Sequence, residues 1–245
     1  MAALITNNTI LVVLTFLPPI LWLLFYLRED RHPEPKRLLM LSFVGGAFSA
    51  LLAVAAELAL IGENYGIFSN FISIHTNVFI FFLVIALVEE YIKYLPVKFL
   101  ILKRPDFDEP VDAMIYMMTS AMGFAAVENL LFAFIPFQGG FLAGLEIVTN
   151  RFLGANLLHA LSSGLVGFFL ARAWFHPQRH HFLAVGIALA ALLHAAFNYL
   201  ILIRGTVAQG TFYIIMLLAI MAVMVLMDFE RLKRQRAAKA LPNNN

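Results

Sequence analysis

The hydrophobic positions of the chain fall into seven runs of about 20 residues, the length at which an α-helix crosses the apolar core of a bilayer. Short polar segments separate the runs. Backbone groups inside a membrane have no water to bond, so runs of this length are expected to be helical. The pattern predicts an all-α polytopic membrane helix bundle with seven spans, at about 9–27, 38–61, 76–98, 111–135, 151–174, 182–203 and 211–229.

One stretch between the predicted fourth and fifth spans fits neither a simple loop nor a span. Residues 136–150 contain Gly139, Gly140 and Gly144 and are too polar and interrupted to cross the membrane. We expect an interfacial or re-entrant piece, which would bring the number of membrane segments to eight. No repeat or linker divides the chain. Residues 1–230 are therefore predicted to form one transmembrane helical domain, followed by a short basic cytoplasmic tail at 231–245.

The composition excludes a soluble globular domain. Hydrophobic residues make up 62% of the 245 residues and charged residues only 13%, against roughly half and a quarter in soluble domains. The chain has no cysteine, which rules out thiolate zinc sites and a cysteine nucleophile. Nothing in the sequence supports binding of nucleic acid, and it leaves the oligomeric state open.

The distribution of Lys and Arg predicts the orientation in the bilayer. Fourteen of the seventeen Lys and Arg residues lie in the first, third and fifth loops and in the tail, whereas the opposite side holds only Arg151 and Arg204. Cytoplasmic loops carry an excess of Lys and Arg. We therefore expect the N-terminus outside and the C-terminus in the cytoplasm. The alternation also supports seven spans, because one missed helix would break it.

Several ionisable residues lie inside the predicted spans, where each costs roughly 2.5–3.5 kcal/mol and is expected to face the protein interior. They are Glu57, Glu89, Glu90, Lys93, Glu128, His159 and His194, with Asn198 as a polar neighbour. On a helix, Lys93 can reach either glutamate of the Glu89–Glu90 pair. The pair is about 100° apart around the helix axis. We therefore expect Lys93 to hold one glutamate while the other faces a cavity.

The depth of these residues predicts that they meet. Counted from the outer end of each span, Glu89 is about 13 residues deep, Glu128 and His159 about 8, and His194 about 9. Asn198 follows His194 by four residues and shares its helix face. Unrelated packing residues need not agree in depth. The predicted site therefore lies in the outer half of the membrane, with Lys93 in a supporting position.

Two imidazoles and a carboxylate are the ligand set of a catalytic zinc site. In that version Glu128, His159 and His194 bind Zn²⁺, and one of the Glu89–Glu90 pair is the general base. In a metal-free version one of that pair activates water together with a histidine, while His194 and Asn198 stabilise the oxyanion. Both versions predict hydrolysis of a peptide bond, and the residues alone leave the choice open.

A series of short motifs resembles those of the PrsW family of intramembrane proteases and occurs in the family's order. They are Asp30 to Lys36, Glu89-Glu90-Tyr91-Ile92-Lys93, Glu109 to Met114, Gly123-Phe124 with Glu128-Asn129, His159 with Ser163 and Gly167, and His194 with Asn198. Each motif is short, but the ordered set is specific and runs from about residue 28 to residue 200.

The resemblance implies an intramembrane protease of the bacterial cell membrane, either metal-dependent or of the glutamate type. Its expected partners are the lipid bilayer and a single-span membrane protein, such as an anti-sigma factor, cut near its extracytoplasmic side. The resemblance also implies kinship with the glutamate-dependent proteases that process prenylated CAAX proteins.

Two other classes of protein compete with a peptidase. Chains of Glu, Lys and His also form proton relays in ion-coupled transporters, although no pair of related halves is visible here. A non-catalytic membrane scaffold would require each buried polar residue to be an independent packing residue.

Beside the site, we interpret Asp112 as a helix-start residue and Ser162-Ser163 as helix packing. We expect Glu57 to pair with Lys93 or to face the cavity.

Overall fold

α-Helices make up almost all of the part of the chain that the structure describes. The computed structural model describes residues 2–61, 78–174 and 179–240. A 3₁₀ turn at Leu27–Glu29 and a π-helical turn at Val97–Ile101 interrupt the α-helices. Those helices are α1 Ala2–Tyr26, α2 Lys36–Ile61, α3 Val78–Pro96, α4 Pro110–Gln138, α5 Phe141–Leu153, α6 Ala155–Trp174, α7 Arg179–Ile203 and α8 Gly210–Ala240.

Six helical segments of the described residues are long and apolar enough to cross a membrane: Thr9–Glu29, Lys36–Leu60, Pro110–Gln138, Phe141–Trp174, His181–Ile203 and Gly210–Gln235. Helix α3 has the length of a span, 19 residues, but carries Glu89, Glu90 and Lys93. All three side chains are buried inside the bundle and so avoid lipid. The predicted all-α polytopic bundle is confirmed.

Some boundaries differ from the prediction. The residues expected as an interfacial or re-entrant piece, 136–150, belong to the end of α4 and to α5. Gly154, with φ −101° and ψ −93°, separates α5 from α6. Residues 231–240 continue α8 instead of forming a separate tail, because no Gly or Pro interrupts them. Residues 76 and 77 of the third predicted span, and 241–245 of the tail, lie outside the described residues.

Helix α4 is the centre of the bundle. Its residues from Pro110 to Ala126 are buried on every side of the helix. It packs against α1, α2, α3, α5, α6 and α8. Four methionines, Met114, Met117, Met118 and Met122, fill the space around it, as flexible side chains can in irregular gaps. The motifs on α4 are therefore held at fixed positions relative to most of the other helices.

Helices α2 and α4 cross in backbone contact at two glycines. A Cβ atom on Gly46 would collide with the backbone of Ser120, and one on Gly123 would collide with the carbonyl of Phe43. Small residues allow such close approach between membrane helices. The expectation that the small residues before Glu128 admit another backbone is confirmed.

A proline in α1 connects that helix to α4. Pro19 has no N–H, so the carbonyl of Thr15, four residues earlier, lacks its usual helical donor. Asn129 supplies the missing donor, because its Nδ2 lies 3.0 Å from the oxygen of Thr15. A carbonyl in a membrane must find such a partner within the protein. The contact also fixes the side chain that follows Glu128.

The segments that carry most of the Lys and Arg meet at one end of the bundle. Lys233 on α8 donates to Glu29 at the end of α1 over 2.7 Å. His32 of the first loop lies 3.1 Å from Glu109, just before α4. These contacts agree with the alternation of basic loops along the chain, which requires the end of α1, the start of α4 and the end of α8 to share a side.

A buried carboxylate ties the first loop to α4 at this end. Tyr116 donates a hydrogen bond to Glu34, and burial raises the pKa of Glu34 above its ordinary value while the Tyr116 hydrogen bond opposes that rise. Asp112 accepts the backbone N–H groups of Asp108 and Glu109, at 2.9 and 2.7 Å. The interpretation of Asp112 as a helix-start residue is confirmed by this capping box.

The crossing at Gly123 generates a stability prediction. We expect Gly123→Val to lower the free energy of unfolding by about 1–3 kcal/mol, because the new side chain must push α2 away from α4. Thermal unfolding of the detergent-purified protein measures the change. Gly205→Val is the matched control, since a Cβ there meets nothing within 4 Å. An equal loss in both variants would contradict the crossing.

Candidate active site

The side chain of Lys93 is the centre of the candidate site. It is fully buried, and its Nζ lies 3.1 Å from Oε2 of Glu89, 2.9 Å from Oε1 of Glu90 and 2.9 Å from Nδ1 of His159. Phe124 lies beneath the ammonium, 4.4 Å from Nζ to the ring centroid. The expectation that Lys93 would hold one glutamate is too narrow, because it holds both.

Helix geometry and α4 together place Lys93. The spacing of three and four residues brings Glu90 and Glu89 onto the side of α3 that Lys93 covers. Ser120 of α4 donates to the backbone oxygen of Lys93 over 2.8 Å. Pro96 and the π-helical turn that follows it end the regular part of α3 just beyond. The segment that carries the charges is therefore attached to the central helix.

The two glutamates differ in their access to solvent. Glu90 is completely buried and accepts hydrogen bonds from Lys93, from Ser162 at 3.0 Å and from Ser163 at 3.2 Å. Glu89 instead lines a cavity. The expectation that one glutamate of the pair faces a cavity is confirmed for Glu89, and Ser162 and Ser163, interpreted from the sequence as packing residues, are buried and also donate to Glu90.

Each histidine is oriented by a carboxylate. His194 Nδ1 lies 2.9 Å from Oε1 of Glu90, and its Nε2 lies 3.8 Å from Oε2 of Glu89. His159 Nε2 lies 2.6 Å from Oε2 of Glu128. The two imidazole rings are 5.2 Å apart and nearly perpendicular, at 79°. Both histidines are almost completely buried.

These contacts determine which ring nitrogens carry protons. An ammonium can only donate, so Nδ1 of His159 accepts from Lys93 and the proton lies on Nε2, which donates to Glu128. Glu90 is a carboxylate surrounded by donors, so Nδ1 of His194 donates to it and Nε2 keeps its lone pair. Each imidazole thus donates to one carboxylate. The other nitrogen lies near Lys93 in the case of His159 and near Glu89 in the case of His194.

Glu128 is bound from its other side by an arginine. Arg151, in the last turn of α5, places NH2 2.7 Å from Oε2 of Glu128 and Nε 2.6 Å from Oδ1 of Asn129. Its guanidinium also lies over the ring of Phe132, 4.4 Å from the centroid. The sequence prediction counted Arg151 only as a charge on the outer side.

A cavity of about 810 Å³ opens beside these residues. Its walls come from α2 through α7 and the turn that follows α7. The functional side chains that line it are Glu57, Glu89, Glu128, Arg151, His159, His194, Asn198 and Arg204. Most of the remaining wall is apolar, as expected of a site that binds a hydrophobic segment. Glu57, whose role the sequence left open, faces this cavity.

Three ligand atoms in the site lie close enough together to hold one metal ion. One atom each from Glu89, His159 and His194 lies within 4.8 Å of the other two, and all three residues are buried. Among the described residues, this is the one such group. The structure therefore groups Glu89 with both histidines, whereas Glu128 contacts His159 and Arg151.

The residues predicted to form a site do converge. Glu89, Glu90, Lys93, Glu128 and His159 form a continuous hydrogen-bonded cluster with His194. Asn198 lines the same cavity one helical turn after His194. Ser162, Ser163 and Arg151 were missed. The two serines follow His159 by three and four residues, a spacing that places them on its helix face and that could have identified them.

A cavity lined by carboxylates and imidazoles inside a membrane helix bundle is the kind of site that an intramembrane hydrolase requires. The family model described as "PrsW family intramembrane metalloprotease" matches residues 34–226. The chain belongs to this family and is an intramembrane protease. The resemblance read from the motifs is confirmed.

Curated relatives agree with the family assignment. "Protease PrsW" of Geobacillus kaustophilus is 28% identical over 181 residues, which cover 74% of each chain. "Protease PrsW" of Clostridioides difficile is 27% identical over 191 residues, 76% of this chain and 77% of the relative. "Protease PrsW" of Bacillus subtilis is 27% identical over 179 residues, 72% of this chain and 75% of the relative. No solved structure gives a significant match.

The different environments of the two glutamates generate a stability prediction. We expect Glu90→Gln to lower the free energy of unfolding by about 3–5 kcal/mol, because it leaves the buried ammonium with one carboxylate fewer. Glu89→Gln should cost clearly less, since cavity water can solvate the new amide. Thermal unfolding in detergent compares the two variants. Equal losses would contradict the distinction between a buried and a cavity-facing glutamate.

Proposed function

We propose that the chain cleaves a single-span membrane protein near its extracytoplasmic side, with Glu89, His159 and His194 as the catalytic centre. One observation carries this proposal: these three side chains converge within 4.8 Å and also line a cavity large enough for a peptide segment. Isolated packing residues would not share both properties.

Glu89 is the residue that takes the proton from the attacking water. A general base must reach the water directly, and Glu89 lines the cavity whereas Glu90 is completely buried. Lys93 donates to Oε2 of Glu89 over 3.1 Å and so fixes the position of this carboxylate beside the cavity. After attack, the protonated Glu89 is placed to return the proton to the leaving amine.

Glu90 and Glu128 act by orienting the histidines. Each accepts a ring N–H, from His194 and His159 respectively, which fixes the tautomer and the angle of the ring. Such carboxylate partners raise the basicity of an imidazole that binds a metal or a water. Ser162 and Ser163 hold Glu90 in place from α6.

Asn198 lines the same cavity as Glu89. It follows His194 by one helical turn. Its amide N–H can donate to the oxygen of the scissile carbonyl, where negative charge develops during attack. Asn198 is therefore assigned to the oxyanion, since Nε2 of His194 keeps its lone pair and cannot donate.

The donor set fits zinc. Glu89, His159 and His194 would hold the ion, a His₂–carboxylate set of the type found in catalytic zinc sites, and Nδ1 of His159 would then exchange its contact with Lys93 for the ion. Among the described residues, the three carboxylates Glu89, Glu90 and Glu128 form ion pairs with two permanent cations, Lys93 and Arg151, so this cluster retains negative charge for a metal ion. Zinc, when bound, would lower the pKa of a bound water and polarise the scissile carbonyl. A carboxylate has two oxygens, so a metal contact through one leaves the other for proton transfer.

The placement of the site indicates where the substrate is cut. The cavity includes Arg151 and Arg204, which lie on the side with few basic residues, and the positive-inside rule places that side outside the cell. We assign the N-terminus to the outside, the C-terminus to the cytoplasm, and the protein to the bacterial plasma membrane. A membrane-anchored regulator such as an anti-sigma factor has a cleavable segment on that side.

The catalytic assignment predicts a loss of cleavage with retained folding. We expect Glu89→Gln and His194→Gln to cut a single-span substrate in proteoliposomes about 10²- to 10⁴-fold more slowly than the unaltered protein, the usual contribution of a proton-transfer group. Glu146→Gln and His181→Gln are the matched controls, because both side chains are exposed. Unchanged cleavage by both site variants would remove this catalytic centre.

The zinc assignment has its own test. Elemental analysis of detergent-purified protein should find about one zinc per chain, as expected for a single site, and clearly less in His194→Ala but not in His181→Ala. A chelator should abolish cleavage, and added zinc should restore it. Cleavage that persists after the zinc is removed would contradict the zinc assignment and leave water activation to Glu89 alone.

A further inference from the structure

We propose that Arg151 is a positioning residue for the reaction, which acts through Glu128 to fix the imidazole of His159. The inference rests on the proposed function, because it concerns the same catalytic centre. Arg151 lies at the end of α5, outside the cluster that the sequence singled out.

The guanidinium of Arg151 is fixed in orientation as well as in position. Its Nε donates to Oδ1 of Asn129 and its NH2 to Oε2 of Glu128, at 2.6 and 2.7 Å. The face of the guanidinium lies over Phe132. A planar guanidinium held at two nitrogens and on one face cannot rotate without losing at least one of these contacts.

Both acceptors of Arg151 are themselves held in place. The amide Nδ2–H of Asn129 donates to the carbonyl of Thr15 in α1, which lacks a helical donor because of Pro19. Oε2 of Glu128 receives Arg151 and His159 at the same oxygen, at 2.7 and 2.6 Å. The arginine therefore determines where the oxygen that orients His159 lies.

The position of that oxygen affects the catalytic atoms through one ring. Nε2 of His159 is fixed by Glu128, and Nδ1 on the opposite side of the ring is 2.9 Å from Nζ of Lys93. Lys93 in turn contacts Oε2 of Glu89. A shift of Glu128 thus changes the angle of the imidazole and with it the donor set around Glu89.

A simple structural ion pair would not need this arrangement. The side chains of Arg151 and Glu128 retain 13% and 19% of their exposure and line the cavity, so water is available to solvate either charge. The shared oxygen with His159 is the feature that a purely structural pair would not require.

The test is a double-mutant cycle on cleavage of the single-span substrate. We expect Arg151→Ala to lower kcat about 10- to 100-fold, as removal of groups that orient catalytic ligands does, with KM changed less than about threefold. Glu128→Gln should cost a similar factor. The kcat of the double variant should be no lower than that of the more impaired single variant, because both substitutions break the same interaction between Arg151 and Glu128.

Two further measurements separate positioning from other roles. Guanidinium added to Arg151→Ala should restore part of kcat, since the arginine lines the cavity and leaves a space open to solvent. Arg151→Lys should retain intermediate activity, because it keeps the charge but not the second bond to Asn129. Arg234→Ala, an exposed arginine on α8, controls for loss of positive charge. Additive effects in the cycle, or a loss confined to KM, would overturn the proposal.

A readout independent of cleavage distinguishes failure of this proposal from failure of the proposed function. The protein is labelled with ¹⁵N-histidine, and the NMR signal that disappears in His159→Gln is assigned to His159. This signal should shift in Arg151→Ala and not in Arg234→Ala. An unchanged His159 signal would overturn the role of Arg151 even in an active protease. A shifted signal in a protein whose cleavage is insensitive to Glu89→Gln would instead contradict the proposed function and leave the positioning intact.

Discussion

The structure depends on one buried ammonium. Lys93 is completely enclosed at the depth of the membrane, and it is tolerable there only because Glu89, Glu90 and His159 all accept from it. Removing a charge from water costs several kcal/mol unless geometry and hydrogen bonds compensate. The demand for acceptors around Lys93 explains why α3 and α6 carry polar residues at the same depth, and the carboxylates in turn explain the contacts of α7 through His194.

The same requirement divides the carboxylates by function. Glu90 is enclosed and accepts from Ser162 and Ser163 of α6 and from His194 of α7, so it keeps Lys93 and His194 in place. Glu89 shares the ammonium but lies on the cavity, where a water and a peptide can reach it. In the proposed mechanism, one glutamate stabilises the cluster and its neighbour in sequence performs the chemistry.

The sequence predicted the spans and the convergence of the site because both depend on position along a helix. Agreement in depth brought Glu89, Glu128, His159 and His194 together. Helical position alone could not predict side-chain partners across the bundle: Glu128 was predicted as a metal ligand, whereas the structure pairs it with Arg151 and His159 and brings Glu89 close to both histidines. Arg151 comes from the end of α5, whereas the prediction counted it as a charge at the outer end of the fifth span and left the preceding residues, 136–150, without a helix. The continuation of α8 past residue 230 was missed because charge was interpreted as the end of a span, although those residues favour helix.

The proposed function requires that the catalytic cavity opens to the outer side of the membrane. Because the chain has no native cysteine, single introduced cysteines can measure this opening. A single cysteine at Ile201, which lines the cavity, should react with a membrane-impermeant maleimide added to the outer face of vesicles, and bound substrate should slow the reaction. A cysteine at Phe48, 65% exposed on the apolar surface of α2, should remain unreactive because lipid covers it. Labelling of the Ile201 cysteine only from the cytoplasmic face, or from neither face, would contradict a catalytic cavity open to the outside.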